Sequence, residues 1–156
     1  MATLIDMQKM KSANQAFGKL MNDYSQPAGE NEEYESPIQE LLNELLEAQN
    51  QTKLFHWQTS SYSEHVALGG LYDSLSESVD KFVEAYMGCY GRPMVDLELE
   101  LKQYTIDAPM EFLKSFKMYL KTDARMVVMG DSALNNILDE IQGSVEQTLY
   151  LLTFKA

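Results

Sequence analysis

Cysteine, histidine, tryptophan and long apolar runs are scarce in this sequence, and each scarcity excludes a class of protein. The 156 residues include one cysteine, Cys89, which excludes an internal disulfide and indicates a reducing compartment. No apolar run approaches the roughly 20 residues needed to span a bilayer. The N-terminus lacks the charged and then apolar segments of a secretory signal. We therefore expect a cytoplasmic protein with no membrane association.

Basic residues are also few. Twelve Lys and Arg stand against 24 Asp and Glu, for a net charge of −12, whereas DNA binding needs clustered positive charge. Residues 1–36 repeat the imbalance, with Lys9, Lys11 and Lys19 against six acids. These charges argue against DNA as a partner. Acidic side chains keep a protein soluble by default, and they also attract cations.

The apolar content is high enough for a packed domain, at 45% of residues. Residues 3–24 carry an imperfect helical pattern of apolar side chains, and a polar, acidic segment over 25–36 reads as a linker. We predict an N-terminal helix and acidic linker over 1–36, available to a partner. A single domain is predicted over 37–156.

Apolar residues recur at spacings of three and four along the predicted domain. This periodicity predicts four helices, over residues 37–59, 62–90, 108–129 and 132–154. Leucines alternate with acids over 94–104, but an isolated strand has nothing to pair with, so a short crossing helix is favoured there. The fold class predicted is an all-α four-helix bundle with a long second connection.

The two histidines of the chain, His56 and His65, flank the turn between the first two predicted helices. Asp80 and Glu84 lie one helical turn apart later in the second helix, so one ion can reach both carboxylates. Imidazole and carboxylate together suit iron, with zinc or another divalent ion as an alternative. The spacing alone favours a plainer interpretation, in which the histidines flank a turn and the acids solvate a helix surface.

Two adjacent glycines, Gly69 and Gly70, interrupt the second predicted helix. Each costs about 1 kcal/mol in a helix interior relative to alanine. The pair is either a tolerated local weakness, or it allows close approach of another helix or of a ligand. The sequence leaves these alternatives open.

Several of these residues together form a family pattern. The sequence resembles the Dps family, the miniferritins of the ferritin-like superfamily, and among them the Dps-like proteins encoded by bacteriophages. The resemblance covers residues 37–154 and is strongest over 52–88. It is carried by His56-Trp57, His65, Leu71-Tyr72, and Asp80 with Glu84.

The resemblance implies a hollow homo-oligomer, a dodecamer in this family, with ferroxidase sites across two-fold interfaces. By that resemblance, His56 and His65 of one subunit face Asp80 and Glu84 of another and bind Fe(II), which peroxide or oxygen oxidises. Trp57 lies beside the iron and quenches radicals. The implied function is storage of ferric mineral as protection against oxidative stress.

Two features depart from the family pattern. Gly69 stands four residues after the second histidine, where the family has an Asp, so one carboxylate ligand is missing. The segment between the histidines is three residues shorter than is usual in the family. With the extra N-terminal segment, these departures motivate an alternative function, that of a non-catalytic ferritin-like structural or interaction protein with a degenerate metal site.

Overall fold

A computed structural model describes residues 36–154, which form five helices. The chain divides into two units, Met1–Ser36 and Pro37–Ala156, and the helices belong to the second unit. They are α1 (Pro37–Gln58), α2 (Tyr62–Tyr90), α3 (Ala108–Lys121), α4 (Asp123–Val127) and α5 (Ser132–Leu151). The helix predicted over 3–24 lies outside the described residues. Within residues 36–154 no strand is present, which confirms the all-α class.

The core follows from the helical spacing of apolar residues, because each helix turns one apolar stripe inward. On α1 the stripe includes Leu41, Leu45 and Phe55, each at most 1% exposed. The other long helices contribute stripes of the same kind, which include Leu68, Leu75 and Phe82 from α2, Leu113, Phe116 and Leu120 from α3, and Leu134, Leu138, Ile141 and Val145 from α5. None of the described helices is both long and apolar enough to cross a bilayer.

Contacts between helix ends establish the direction of α3. Phe112, in its first half, makes an edge-to-face contact with Phe55 near the end of α1, with ring centroids 6.1 Å apart. Tyr119, in its last turn, is half-buried close to Glu40 and Glu44 near the start of α1. Its pKa is raised mainly by burial and further by these negative charges. Helix α3 therefore runs antiparallel to α1.

Helix α5 runs antiparallel to α2. The Tyr90 hydroxyl, at the end of α2, donates to Asp131 just before α5, at 2.7 Å. Ser74 and Ser144, near the middle of both helices, hydrogen-bond at 2.8 Å. Because α1 and α2 are antiparallel as well, α2 and α3 point the same way, and the chain between them must return along the length of the bundle.

That return is made by residues 91–107, here called the strap, and it contains no helix. The short crossing helix predicted over 94–104 is therefore wrong. The strap is extended, and glutamine side chains of α1 hydrogen-bond to its backbone: Gln39 to Asp96, Gln51 to Lys102 and Gln58 to Tyr104. These side chains bond backbone groups that a helix would have paired internally.

The first two helices end within one residue of the prediction, and the fourth predicted helix ends at Leu151, three residues before the predicted 154. Helix α2 has the predicted bounds, and Gly91 ends it at φ +84°, a conformation that favours glycine. The helix predicted over 108–129 is instead broken at Thr122, whose hydroxyl donates to the Met118 carbonyl at 2.9 Å. Such a bond from a side chain to its own helix competes with helix continuation.

Candidate metal centre

The turn between α1 and α2 is held by local hydrogen bonds that the sequence encodes. The Phe55 carbonyl accepts from the Thr59 amide at 3.0 Å as α1 ends, and the Ser61 hydroxyl caps α2 by accepting from the Glu64 amide at 3.4 Å. The Glu64 carboxylate accepts from the Thr59 hydroxyl and, at 2.7 Å, from the Tyr104 hydroxyl. These bonds bring the last turn of α1 and the first turn of α2 together.

His56 and His65 meet across this turn and form what we call the histidine pair. Their imidazole rings are stacked, with centroids 3.8 Å apart and planes at 20°. The Nδ1 atom of His56 lies 2.8 Å from the His65 carbonyl oxygen, and the Nδ1 atom of His65 lies 2.9 Å from the His56 carbonyl oxygen. Each ring is thus bonded to the other residue's backbone.

These bonds determine which nitrogen of each ring carries hydrogen. A carbonyl oxygen only accepts, so both Nδ1 atoms donate, and in the neutral imidazole the lone pair is then on Nε2. Neither Nε2 atom has a hydrogen-bond partner within residues 36–154. His65 is exposed and His56 is half-buried. The neutral form of the pair therefore presents two nitrogen lone pairs, both on Nε2, which is the tautomer that a metal bound at Nε2 requires.

The stacking limits how those lone pairs can be used. An imidazole lone pair lies in the plane of its ring, and a metal–nitrogen bond is about 2.0–2.1 Å long. Two rings 3.8 Å apart and only 20° from parallel cannot both aim Nε2 at one ion at that distance. The histidine pair offers two separate single-nitrogen positions and does not form a chelate.

Gly69 lies directly against this pair. A Cβ atom built on Gly69 would stand 2.9 Å from Cε1 of His56, closer than real Cβ atoms come, and 3.1 Å from its Nδ1, closer than most of them come. The His56 ring therefore occupies the space that a side chain at position 69 would need. The sequence left open whether the two glycines allow close approach of another helix, and at Gly69 a side chain of α1 does approach closely. That the side chain is His56 was not predicted.

Asp80 and Glu84 are exposed on α2, one turn apart. Fifteen residues separate His65 from Asp80, which is about 22 Å along a helix. No ion can touch both ends of that interval within one chain. Among the described residues no three His, Cys, Asp or Glu side chains are grouped closely enough to hold a metal. The structure thus brings the two histidines together and leaves the two acids apart from them.

Trp57 follows His56 in the sequence and is 67% exposed, and the Lys53 ammonium lies over its ring. The Lys53 ammonium is 5.5 Å from the centroid of the Trp57 ring and 3.7 Å from that of the Tyr72 ring. Hydrogen bonds from Ser76 and Lys53 lower the pKa of the Tyr72 phenol. Sequence reasoning did not single out Lys53, although its spacing of four from Trp57 on one helix predicts such a contact.

Comparison with known proteins places the chain in a family. The model of a family of unknown function, DUF5856, matches residues 56–152, which is more than half of the chain. The chain belongs to DUF5856. It is also similar to an uncharacterized 14.6 kDa protein in the mobD-ri intergenic region of Enterobacteria phage T4, with 27% identity over 120 residues, covering 77% of this chain and 91% of the phage protein. The DUF5856 match begins at His56 and includes His65, Asp80 and Glu84.

Proposed function

We propose that this DUF5856 protein is a Dps-like miniferritin, which oxidises Fe(II) between subunits and stores the ferric product in a hollow homo-oligomer. One observation carries the proposal. In the histidine pair both Nδ1–H groups donate to backbone carbonyls, which leaves both Nε2 lone pairs open. Histidines that bind metal commonly donate their other ring N–H in this way, to a carbonyl, a carboxylate or water.

The connectivity of the bundle also supports the proposal. Helices α2 and α3 point the same way and are joined by the strap, while α1 and α2 are joined by the three residues 59–61, and α3 and α5 by residues 122–131, which include α4. A four-helix bundle with one long crossover is the ferritin-like arrangement, in contrast to up-down bundles with short loops throughout. Because that topology hosts many functions, it adds to the histidine geometry and does not replace it.

A second copy of the chain would complete the site. Asp80 and Glu84 are exposed and too far along α2 to meet their own histidines, so they are available to the histidines of another subunit. Trp57, Tyr62 and Val66, which lie near the histidine pair in sequence, are more than half exposed. Exposed apolar side chains of this kind are typical of surfaces that bind another protein.

The proposed chemistry divides between nitrogen and oxygen ligands. Imidazole nitrogen holds Fe(II), and the harder carboxylate oxygens stabilise Fe(III) as it forms. Two Fe(II) ions each lose one electron to one hydrogen peroxide molecule. The O–O bond breaks, and two protons complete two water molecules. We place this reaction in the cytoplasm of a bacterial or phage-infected cell, where it would remove peroxide and iron together.

The proposal is tested by mixing the full chain with Fe(II) without oxygen, adding peroxide, and following the growth of ferric absorbance. The His56→Ala, Asp80→Ala double variant should slow this growth at least about tenfold, because it removes one ligand of each kind. Asp73→Ala removes an exposed acid of α2 outside the site and should leave the rate unchanged. Wild-type rates in the double variant would exclude the proposed site.

One observation favours a second function, a non-catalytic ferritin-like protein with a structural or interaction role. The His56 carbonyl is one of the last four of α1, which have no partner within their helix, and the His65 ring supplies one at 2.9 Å. In this alternative the histidine pair only links α1 to α2. Metal analysis of the purified protein separates the candidates: iron supports the first, zinc alone indicates binding without redox chemistry, and no metal supports the second.

A further inference from the structure

Gly69 lies on the face of α2 that the His56 ring covers. We propose that Gly69 is a positioning residue: because it has no side chain, the His56 imidazole can lie against it and keep its position in the histidine pair. The effect of Gly69 on the position of the ring is inferred from contacts alone. Its consequence for metal binding rests on the proposed function, so the two are tested by separate measurements.

The contacts fall on the atoms that hold the ring in place. A Cβ on Gly69 would lie 2.9 Å from Cε1 and 3.1 Å from Nδ1 of His56, and Nδ1 is the atom that donates to the His65 carbonyl. The imidazole is the end of a flexible side chain, so it would swing away at little cost to the backbone. That movement would break the hydrogen bond and separate the stacked rings.

The neighbouring glycine shows that the contact is specific. A Cβ on Gly70 would meet no atom of the described residues within 4 Å. Both glycines lie in the same turn of α2, and both carry the same penalty against helix formation. The two positions therefore differ in that the His56 ring lies against Gly69 and not against Gly70. The Gly70→Ala variant is thus a matched control for Gly69→Ala.

The two histidines should respond differently to Gly69→Ala. The His56 ring is displaced, so the hydrogen bond from its Nδ1–H group to the His65 carbonyl is lost. His65 donates to the backbone carbonyl of His56, and this bond does not depend on the His56 side chain. We expect one imidazole to change its protonation pattern while the other keeps it, which a general loss of structure would not produce.

The direct test is nitrogen-15 NMR of the metal-free full chain, which reports the tautomer of each imidazole. Wild type and Gly70→Ala should show both histidines protonated at Nδ1. In Gly69→Ala, His56 should move to a mixture of tautomers or to protonation at Nε2, with His65 unchanged. A wild-type pattern for His56 in Gly69→Ala would overturn the inference.

A double-mutant cycle keeps the test decisive if Gly69→Ala folds poorly. Alanine is the better helix former, so Gly69→Ala should raise the urea midpoint when His56 is first replaced by alanine. With His56 present the rise should be smaller or reversed, because the ring must move. Equal rises in both backgrounds would mean that the ring and position 69 do not interact, and would overturn the inference.

The consequence for metal binding is tested by calorimetric titration of the same variants with Fe(II) in the absence of oxygen. Gly69→Ala should weaken binding about tenfold, the scale expected when a ligand loses its supporting hydrogen bond, and Gly70→Ala should match wild type. If wild type binds no iron but the tautomer result holds, the proposed function fails and the role of Gly69 stands. If wild type binds iron and Gly69→Ala matches it in tautomer and affinity, the role of Gly69 fails.

Discussion

Each histidine of the pair is held by its ring contact and by a bond to the other residue's backbone. This arrangement needs a half-buried ring, an exposed ring and a glycine on the facing helix. The glycine sits where the Dps resemblance leads one to expect a carboxylate ligand. At this position the His56 ring occupies the space that an Asp side chain would need.

That difference predicts the result of adding the carboxylate. Gly69→Asp should weaken Fe(II) binding about tenfold, since its Cβ displaces His56 before its carboxylate can act as a ligand. Gly70→Asp adds the same charge one residue away, where a Cβ meets none of the described residues within 4 Å, and should bind iron as wild type does. Calorimetric titration checks both. Tighter binding by Gly69→Asp alone would contradict the packing argument.

Tyr90 predicts how stability changes at high pH. Burial, together with the hydrogen bond to Asp131, raises the pKa of the Tyr90 phenol to about 12, above the value of about 10 for an unfolded chain. The folded state therefore favours the neutral phenol. The resulting stability is complete below about pH 10 and is lost as the pH rises through about 12.

The Tyr90→Phe variant tests this dependence. It should be less stable than wild type by about 1 kcal/mol at neutral pH, the usual worth of one hydrogen bond, and should lose less stability between about pH 10 and 12. Urea unfolding at neutral and alkaline pH measures both effects. Tyr150→Phe, at a residue 62% exposed, should follow wild type. Parallel curves for wild type and Tyr90→Phe would argue against the assignment.

At the scale of elements, the strap depends on one buried side chain. Gln51 is 0% exposed, and its amide makes two bonds to one residue: Nε2 donates to the Lys102 carbonyl at 2.8 Å, and Oε1 accepts from the Lys102 amide at 2.6 Å. These two bonds replace the backbone hydrogen bonds that a neighbouring strand would supply. The alternating leucines and acids predicted nothing about it, because Gln51 lies about 50 residues earlier in the chain.

The Gln51→Met variant retains the volume and removes both bonds. We expect a loss of about 2 kcal/mol in the free energy of unfolding, because two backbone groups lose their partners in a partly buried place. Hydrogen exchange at the Lys102 amide should quicken more than exchange in α2. Gln58→Met, at an exposed residue that also bonds to the strap, should cost less because water can replace it. Equal costs would show that burial of Gln51 is not decisive.

A second element-scale contact links the broken third helix to α5. The Arg125 guanidinium donates to the carbonyls of Leu120 and Asn135, each at 3.0 Å, and pairs with Asp139 at 2.7 Å. One side chain thus bonds the end of α3 and two turns of α5. These bonds accompany the break at Thr122, which periodicity alone did not predict, since apolar residues continue through it.

At the scale of the whole molecule, the proposed function requires assembly. Asp80 and Glu84 cannot reach the histidines of their own chain, so a monomer would have an incomplete site. We predict a particle of twelve chains of 17.8 kDa, measured by sedimentation or native mass spectrometry, which retains iron after exposure to Fe(II) and peroxide. A metal-free monomer would contradict the miniferritin proposal and favour the structural alternative.

The sequence by itself determined where the long helices begin, because a stripe of apolar residues every three or four positions is a local property that needs a core on one side. It also determined the turn at which the two histidines lie, through the cap at Ser61. It did not determine the break at Thr122 or the extended strap. Residue type and spacing singled out the four proposed ligands as candidates but by themselves favoured the plainer interpretation, and the Dps resemblance supplied the expectation that they act across subunits.

Only the tertiary structure decided what those residues touch. The strap is extended because glutamines on α1 bond to its backbone, and Gly69 matters because a ring from α1 lies against it. Both contacts join residues distant in sequence or on different helices. Periodicity describes one helix at a time, so it predicted where the chain turns but not which atoms meet across the turn.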